Sequence, residues 1–384
     1  MKTPRISSES FSALIWLLVW LLIAALLMAN GLSRSVTPIY HRAVDHWQAG
    51  QALYYGPKEF NYLPVFVGLF WPFHRLPIPV GDIVWRLMAV SGLIVGITSI
   101  TRLQPCREHG KAALIVTLIA LPLSVSALRN GQSSAHIGAL FILAASALNH
   151  GRWNLAALLL SLALVCKPLA VPMIGLALIL FPHVRGALAL GTLAVFFVPY
   201  AWAGVDYVNE QYLLFFRDIV DCMDPTAGRS FADINAILRM FGYELDSTSY
   251  FRWQVLVGLL LAAICFFSRK HLSDFPKTLT LLGLGGGYIM LFTPMNENNS
   301  YVMVAPVLAL WACWCKYNHQ AGIFVYLVAS VLFMAFGADV IAVMLDPSKM
   351  NEYNQTIMSL TIFVFFLMVI GQLLIFVARS RHDA

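Results

Sequence analysis

The sequence predicts an all-α, polytopic integral membrane protein of about 12 transmembrane helices plus a re-entrant or interfacial segment. Three observations point there. Of 384 residues, 59% are hydrophobic and only 11% are charged, against roughly 25% charged in a soluble domain; no soluble fold could hide that much apolar side chain from water. Apolar runs recur along the whole chain. Basic residues gather in alternate connections, the pattern of positive cytoplasmic loops. The same composition excludes a disordered chain, a disulfide scaffold and a transmembrane barrel. The net charge of +6 lies mostly on one side of the membrane and is no nucleic-acid footprint.

The first apolar run, Phe11 to Leu32, follows Lys2 and Arg5 and exceeds a signal-peptide core, so it is expected to stay as a span starting in the cytoplasm. Further runs lie near 81–101, 112–128, 134–149, 153–166, 168–182, 186–202, 253–268, 278–293, 301–315, 321–345 and 355–378. Arg102, Arg107 and Lys111, then Arg152, then His183 and Arg185, then Arg269, Lys270 and Lys277, then Lys316, and finally Arg379 and Arg381 all fall on the side of Lys2 and Arg5. Both termini are thereby expected in the cytoplasm. The stretch from Tyr62 to Phe73 is short and broken by Pro64 and Pro72, and a crossing there would invert every later loop. It is expected in the outer interface or re-entering from it. Residues 1–384 thus read as a single membrane domain, with a first outer loop at 33–79 and a long outer loop at 203–252.

Cys106, Cys166, Cys222, Cys265, Cys313 and Cys315 show no paired zinc-site spacing and read mostly as small apolar filler; Cys222, alone in the long polar loop, has no evident disulfide partner. The run Gly283 to Gly287 reads as close helix packing. With no zinc motif, Walker loop or Gly-x-Ser-x-Gly elbow, no metal and no cofactor is expected.

The cytoplasmic connections are short, whereas the outer loops are long and carry aromatic residues such as Trp47, Trp202, Tyr212, Phe215 and Phe216. Any chemistry is therefore expected outside. The polar residues on or just beneath that face are Asp45, His46, Asn61, Tyr62, Arg129, Asn130, Gln132, His136, Lys167, Asn235, Arg239, Glu297, Asn298 and Asn299. Lys167 stands between the apolar runs Ala163–Cys166 and Pro168–Val171. It either snorkels to the headgroups or, with Pro168 breaking the helix, presents an ammonium to a phosphate or pyrophosphate. Arg129-Asn130-Gly131-Gln132 reads as a capped turn or as a polar binding cluster. His136 reads more readily as packing than as catalytic. Among the acids, Asp45, Asp82, Asp206, Asp218, Asp221, Asp224, Asp233, Asp246 and Asp339 stay open as candidates for an acid–base role.

The order of these features resembles glycosyltransferase family 87, integral membrane enzymes of the GT-C class that include mycobacterial polyprenol-phosphate-mannose-dependent mannosyltransferases. The stretches that carry the resemblance are Val44 to Tyr54, Phe60-Asn61-Tyr62-Leu63-Pro64, Asn130-Gly131-Gln132 and Lys167-Pro168, all in the first half of the chain. The resemblance implies a GT-C-like fold and a polyprenyl-phosphate hexose donor, with mannose as the expected sugar. It implies transfer with inversion to a lipid or glycan acceptor on the outer face of the cell inner membrane, in contact with membrane lipids and without nucleic acid. It makes Asp45 the expected base toward the acceptor hydroxyl. Lys167 and Arg129, with Arg239 third, become the expected cations for the leaving phosphate. His46, Asn61, Tyr62, Asn130, Gln132, His136, Glu297, Asn298 and Asn299 become the expected substrate contacts. The sequence departs from the family in Leu63-Pro64, where two prolines are usual. It departs again in Asp233-Ile234-Asn235-Ala236 ahead of Arg239, and late in the chain, where Thr293 to Tyr301 holds amides and Glu297 but no histidine. A secondary transporter with 12 transmembrane helices is the alternative, against which stand the absence of a visible internal repeat and the large outer loops.

Overall fold

In the computed structural model, which describes residues 7–32, 34–54, 60–106, 108–222, 231–294 and 296–382, each apolar run becomes a helix and no strand occurs among the described residues. Lys2, Arg5, Glu59, Arg107, Asp224 and Met295, and the side chains of Asp221, Cys222 and Arg381, lie outside what is described. The helices are α1 (Ser8–Asn30), α2 (Thr37–Gln48), α3 (Phe66–His74), α4 (Ile78–Thr101), α5 (His109–Asn130), α6 (Ser134–Asn149), α7 (Trp153–Cys166) and α8 (Val171–Leu180). They continue with α9 (Arg185–Phe197), α10 (Val205–Cys222), α11 (Ile234–Arg239), α12 (Ser247–Ser268), α13 (Asp274–Phe292), α14 (Ala305–Tyr317), α15 (Ala321–Met344) and α16 (Met350–His382).

Among the described residues, 7 helical stretches are long and apolar enough to cross a membrane: α1, α4, α5, Pro182–Ala201 around α9, α12, α15 and most of α16. That is fewer than the expected count, because several apolar runs form shorter helices: α6 has 16 residues, α7 14, α8 10 and α14 13. Burial explains two of them. Every residue of α14 from Ala305 to Cys315 is buried, as is most of α6. Protein, not lipid, surrounds these helices, so the hydrocarbon thickness does not set their length. The glycines of α13 serve this packing. A Cβ on Gly283 would come within 2.8 Å of the Trp311 indole nitrogen, and one on Gly287 within 2.6 Å of the Phe366 ring.

The helix ends sort into two faces. At one, Arg102 pairs with Glu9 at 2.8 Å, Asn149 donates to Thr278 at 3.1 Å, Arg269 reaches the Ile179 carbonyl and Gln104 reaches that of Leu310. This is the face that carries the basic connections. At the other face, the turns after α5, α7 and α13 and the start of α16 converge under two insertions that hydropathy alone reads as loops. The first insertion is α2 with α3. Helix α3 has 9 residues and Pro72 inside it, about 14 Å at 1.5 Å per residue, so it cannot cross. It folds back on α4, packs against α2 and leaves no room for a Cβ at Gly81, which abuts the Phe73 carbonyl, or at Gly68, which abuts the Trp202 ring. The second insertion is α10, bound to the first by Gln211, which accepts from the Leu53 amide at 2.8 Å, and by Tyr207, which donates to the Gln51 carbonyl.

Candidate active site

Tyr40 organises the first insertion. Its ring packs edge-on against Tyr62, Phe66, Phe70 and Trp85 at 4.9–6.1 Å between centroids, and its hydroxyl meets that of Tyr62 at 2.7 Å. Such contacts contribute about 0.5–1.5 kcal/mol each beyond area burial, so α2 is held in a defined rotation. That rotation decides which side chains face inward. Val36, Ile39 and Tyr40 face a cavity of ≈ 1280 Å³. At about 100° per residue, Asp45 comes out on the opposite side of α2.

Asp45 is 60% exposed and is not on the cavity wall; it approaches His74 Nε2 at 3.3 Å. The helical phase of α2 sets this direction. His74 belongs to a chain of groups crossing from α3 to α4. His74 Nδ1 meets His41 Nδ1 at 3.0 Å, and His41 Nε2 lies 3.6 Å from Asp82 Oδ1. The His41–Asp82 approach is too long for a hydrogen bond. Burial holds the His74 pKa below its ordinary value, against the opposing pull of Asp45. Asp82 is fully buried, accepts from Thr37 at 2.6 Å and pairs with Arg86 at 3.4 Å. Arg86 also donates to the carbonyls of Leu128 and Arg129 and to Ser35. It thereby caps the end of α5 with a charge that no ligand can reach.

The remaining site residues divide clearly. His46 lies against the Ala52 carbonyl at 2.9 Å, Asn130 donates to the Arg34 carbonyl at 3.0 Å, and buried His136 stacks on Trp85 at 3.8 Å with its Nε2 at the Trp85 carbonyl. Arg239 is held by Glu244 at 2.9 Å and by the Phe231 carbonyl. The Asn235 side chain closes a loop onto Leu245, donating from Nδ2 to the Leu245 carbonyl and accepting the Leu245 amide at Oδ1. Arg129 makes no ion pair among the described residues and is off the wall. None of these groups lines the cavity. Asp233 caps α11, accepts from the Tyr250 hydroxyl, and is pushed by burial up to about 6; it too is off the wall.

The structure does bring Asn61, Tyr62, Gln132, Lys167, Glu297, Asn298 and Asn299 to one wall. Each is placed by a local break. Pro168 forbids α7 to continue and biases the residue before it toward extended backbone; Lys167 accordingly has φ −163° and ψ 145°. Its ammonium lies 5.7 Å from the centre of the Tyr62 ring. Gly131, at φ 75°, ends α5 in the left-handed region and turns Gln132 inward. Gln132 Nε2 donates to Glu297 Oε2 at 3.2 Å. Glu297 starts the turn Asn298–Met303, where its carboxylate accepts the Ser300 amide and its own amide donates to the Ser300 hydroxyl. Buried Asn296 fastens the preceding corner with donations to the Ile289, Met290 and Thr293 carbonyls. Among the described wall residues Lys167 is the one cation and Glu297 the one carboxylate.

Sequence reasoning missed Gln254, Asn351 and Gln355, which also line the wall. Gln254 is a lone amide in an apolar run, a signal of the same kind as Lys167. Asn351 and Gln355 are one helical turn apart at the start of α16, a spacing that marks one face but names no partner. Away from these amides the wall is apolar, formed by Val171, Val220, Phe251, Val255 and Leu259, all of them exposed. The cavity therefore runs from a polar end into the apolar outer surface between α8, α10 and α12. No group of three or more His, Cys, Asp or Glu side chains suited to a metal ion occurs among the described residues.

No curated protein matches the chain. A family model does: glycosyltransferase family 87 matches residues 60–294, more than half of the sequence and every segment of the cavity wall except the start of α2 and the parts from Glu297 onward. By that match the chain belongs to glycosyltransferase family 87, and is a membrane glycosyltransferase.

Proposed function

We propose that the protein transfers a hexose, mannose being the expected sugar, from a polyprenyl-phosphate donor to a hydroxyl of a lipid or glycan acceptor, with inversion at the anomeric carbon. The observation that carries this reading is the two-sided cavity: one lysine and one carboxylate among amides at one end, exposed apolar side chains at the other. An isoprenoid chain fits the apolar side and keeps its tail in lipid. Its sugar phosphate then lies in the polar end. The volume exceeds the roughly 300–1,000 Å³ of an ordinary ligand pocket, as two substrates require.

The chemistry follows from charge. Glu297, held by Gln132 and the Ser300 amide, takes the proton of the acceptor hydroxyl. The acceptor oxygen bonds to the anomeric carbon as the bond from that carbon to the phosphate oxygen breaks. The donor phosphodiester bears one negative charge and the released polyprenyl phosphate gains a second, so a cation beside it stabilises the transition state more than the ground state. Lys167 supplies that cation, and the proton on Glu297 leaves with water or with the phosphate. One carboxylate suffices for inversion. We assign the base to Glu297 over Asp45 because Glu297 is on the wall. Arg239, held by Glu244 and the Phe231 carbonyl, is assigned to structure, and Arg129, off the wall, is given no part in the transfer.

The same reading includes about twelve crossings, with the short buried helices counted among them. It sets both termini in the cytoplasm and the cavity outside the inner membrane, since the cavity lies at the face opposite the basic connections. The test is purified protein in lipid nanodiscs with radiolabelled polyprenyl-phosphate mannose and a panel of lipid and glycan acceptors. Labelled product is expected, together with its loss in Glu297→Gln. Donor left intact with every acceptor would overturn the reading. A rate lost in Asp45→Asn but kept in Glu297→Gln would return the base to Asp45.

A further inference from the structure

We infer that the acceptor is an uncharged polyhydroxyl group, a neutral sugar end, and that Asn351 and Gln355 at the start of α16 select it. The inference rests on the reading of the cavity as a glycosyl-transfer site and adds the acceptor class. It comes from the charge inventory of the wall. The wall holds one cation, Lys167, and one carboxylate, Glu297, among the described residues. Once a donor phosphodiester sits against Lys167, the only charge left facing an acceptor is negative. A phosphate or carboxylate on the acceptor would meet Glu297 in a half-enclosed space, where like charges repel more strongly than in water.

What the wall offers in place of charge is amides. Asn298, Asn299, Gln132, Asn351 and Gln355 line the same cavity as Glu297, from three elements. A carboxamide both donates and accepts, as a sugar hydroxyl does, and so matches a ring of hydroxyls of either polarity. Some of these amides are already engaged: Gln132 on Glu297, and Asn299, which accepts from Ser126 at 2.7 Å. Asn298 and Asn351 make no side-chain hydrogen bond among the described residues, so their donors and acceptors face the cavity uncommitted. Gln254, by contrast, donates to the Phe292 carbonyl at 2.6 Å and lies toward the apolar side of the wall, next to Val255. The amides of α16 therefore belong to the acceptor and not to the lipid-linked donor.

The experiment uses the full chain in nanodiscs and two acceptors that differ in one group: an alkyl hexoside and the same hexoside bearing a phosphate on C6. The neutral acceptor should have the higher kcat/KM by about tenfold, one unfavourable charge contact being of that order. Asn351→Ala and Gln355→Ala should each raise the KM for the neutral acceptor severalfold while the donor KM holds. Asn351→Lys should shift the preference toward the phosphorylated hexoside. A phosphorylated acceptor used as well as the neutral one, or an acceptor KM unmoved in both alanine variants, overturns the inference and leaves glycosyl transfer standing. Donor that reaches neither acceptor nor water overturns the transfer reading and this inference with it.

Discussion

Two sets of charged groups sit at the same end of the molecule and have opposite fates. Between α2, α3 and α4, Asp45, His74, His41, Asp82 and Arg86 meet one another and the backbone. On the cavity wall, among the described residues, Lys167 lies over a tyrosine ring and makes no ion pair, and Glu297 is held by neutral donors with no cation in ion-pair range. The difference teaches that a carboxylate's neighbours, more than its position in a loop, separate structural from chemical use. A buried carboxylate paired with a cation, as Asp82 is with Arg86, has little left for a substrate.

The sharpest way to break this comparison is to remove a member of the first set. Arg86 is 1% exposed and holds Asp82, two carbonyls of α5 and Ser35. Arg86→Met strands a buried carboxylate, and loss of one partner of a buried pair costs about 3–5 kcal/mol. The thermal midpoint in detergent should fall steeply, and most of the protein should fail to reach the folded state. A near-unchanged midpoint would show that the cluster is not holding α4 to α5.

Glu297→Gln tests the second set. Loss of a general base lowers rates by about 10²–10⁴-fold, and glutamine keeps the shape that accepts from Gln132 and Ser300. The midpoint should therefore stay within a degree or two while initial rates collapse. Asp45→Asn should leave rates within about threefold, as expected for an exposed contact of small worth. If the two variants exchange these behaviours, the comparison is inverted.

Much of the fold was legible in the sequence, because its signals are local. Apolar runs become helices, and Pro168 after Lys167 breaks one where the sequence says it should. Lys167, Gln132 and Glu297 were legible for the same reason, each a polar group at the edge of an apolar run. The direction of Asp45 was not. It depends on the rotation of α2, which is set by Tyr40 packing on Phe66, Phe70 and Trp85 from two later helices. Asn351 and Gln355 were equally hidden, since they reach the cavity wall through the packing of α16 against α13. Helices α2 and α10 escaped the hydropathy reading because one face of each is polar.

Gly131 joins the two sets, and its substitution should have a smaller effect than that of Arg86. Its φ of 75° is one that a side chain adopts with strain, and a Cβ there would lie 2.6 Å from Arg86 Nη2. Gly131→Ala should cost about 1–3 kcal/mol, and by displacing Gln132 it should also raise the KM for acceptor. A stability loss with unchanged kinetics would separate the turn from the wall.

The smallest effect belongs to His74, and its sign is diagnostic. Burial lowers the folded-state pKa below the 6.5 of a free imidazole. Between the folded and unfolded values the unfolded chain binds more protons, so stability rises with pH across that window and falls as the pH drops below about 6.5. His74→Gln keeps a donor toward Asp45 and removes the titration, so its midpoint should lose that part of the slope between pH 5 and 7. A wild-type midpoint that instead rises on acidification through this window would mean that the attraction of Asp45 for a charged His74 outweighs burial, and that this contact is an ion pair strengthened by acid.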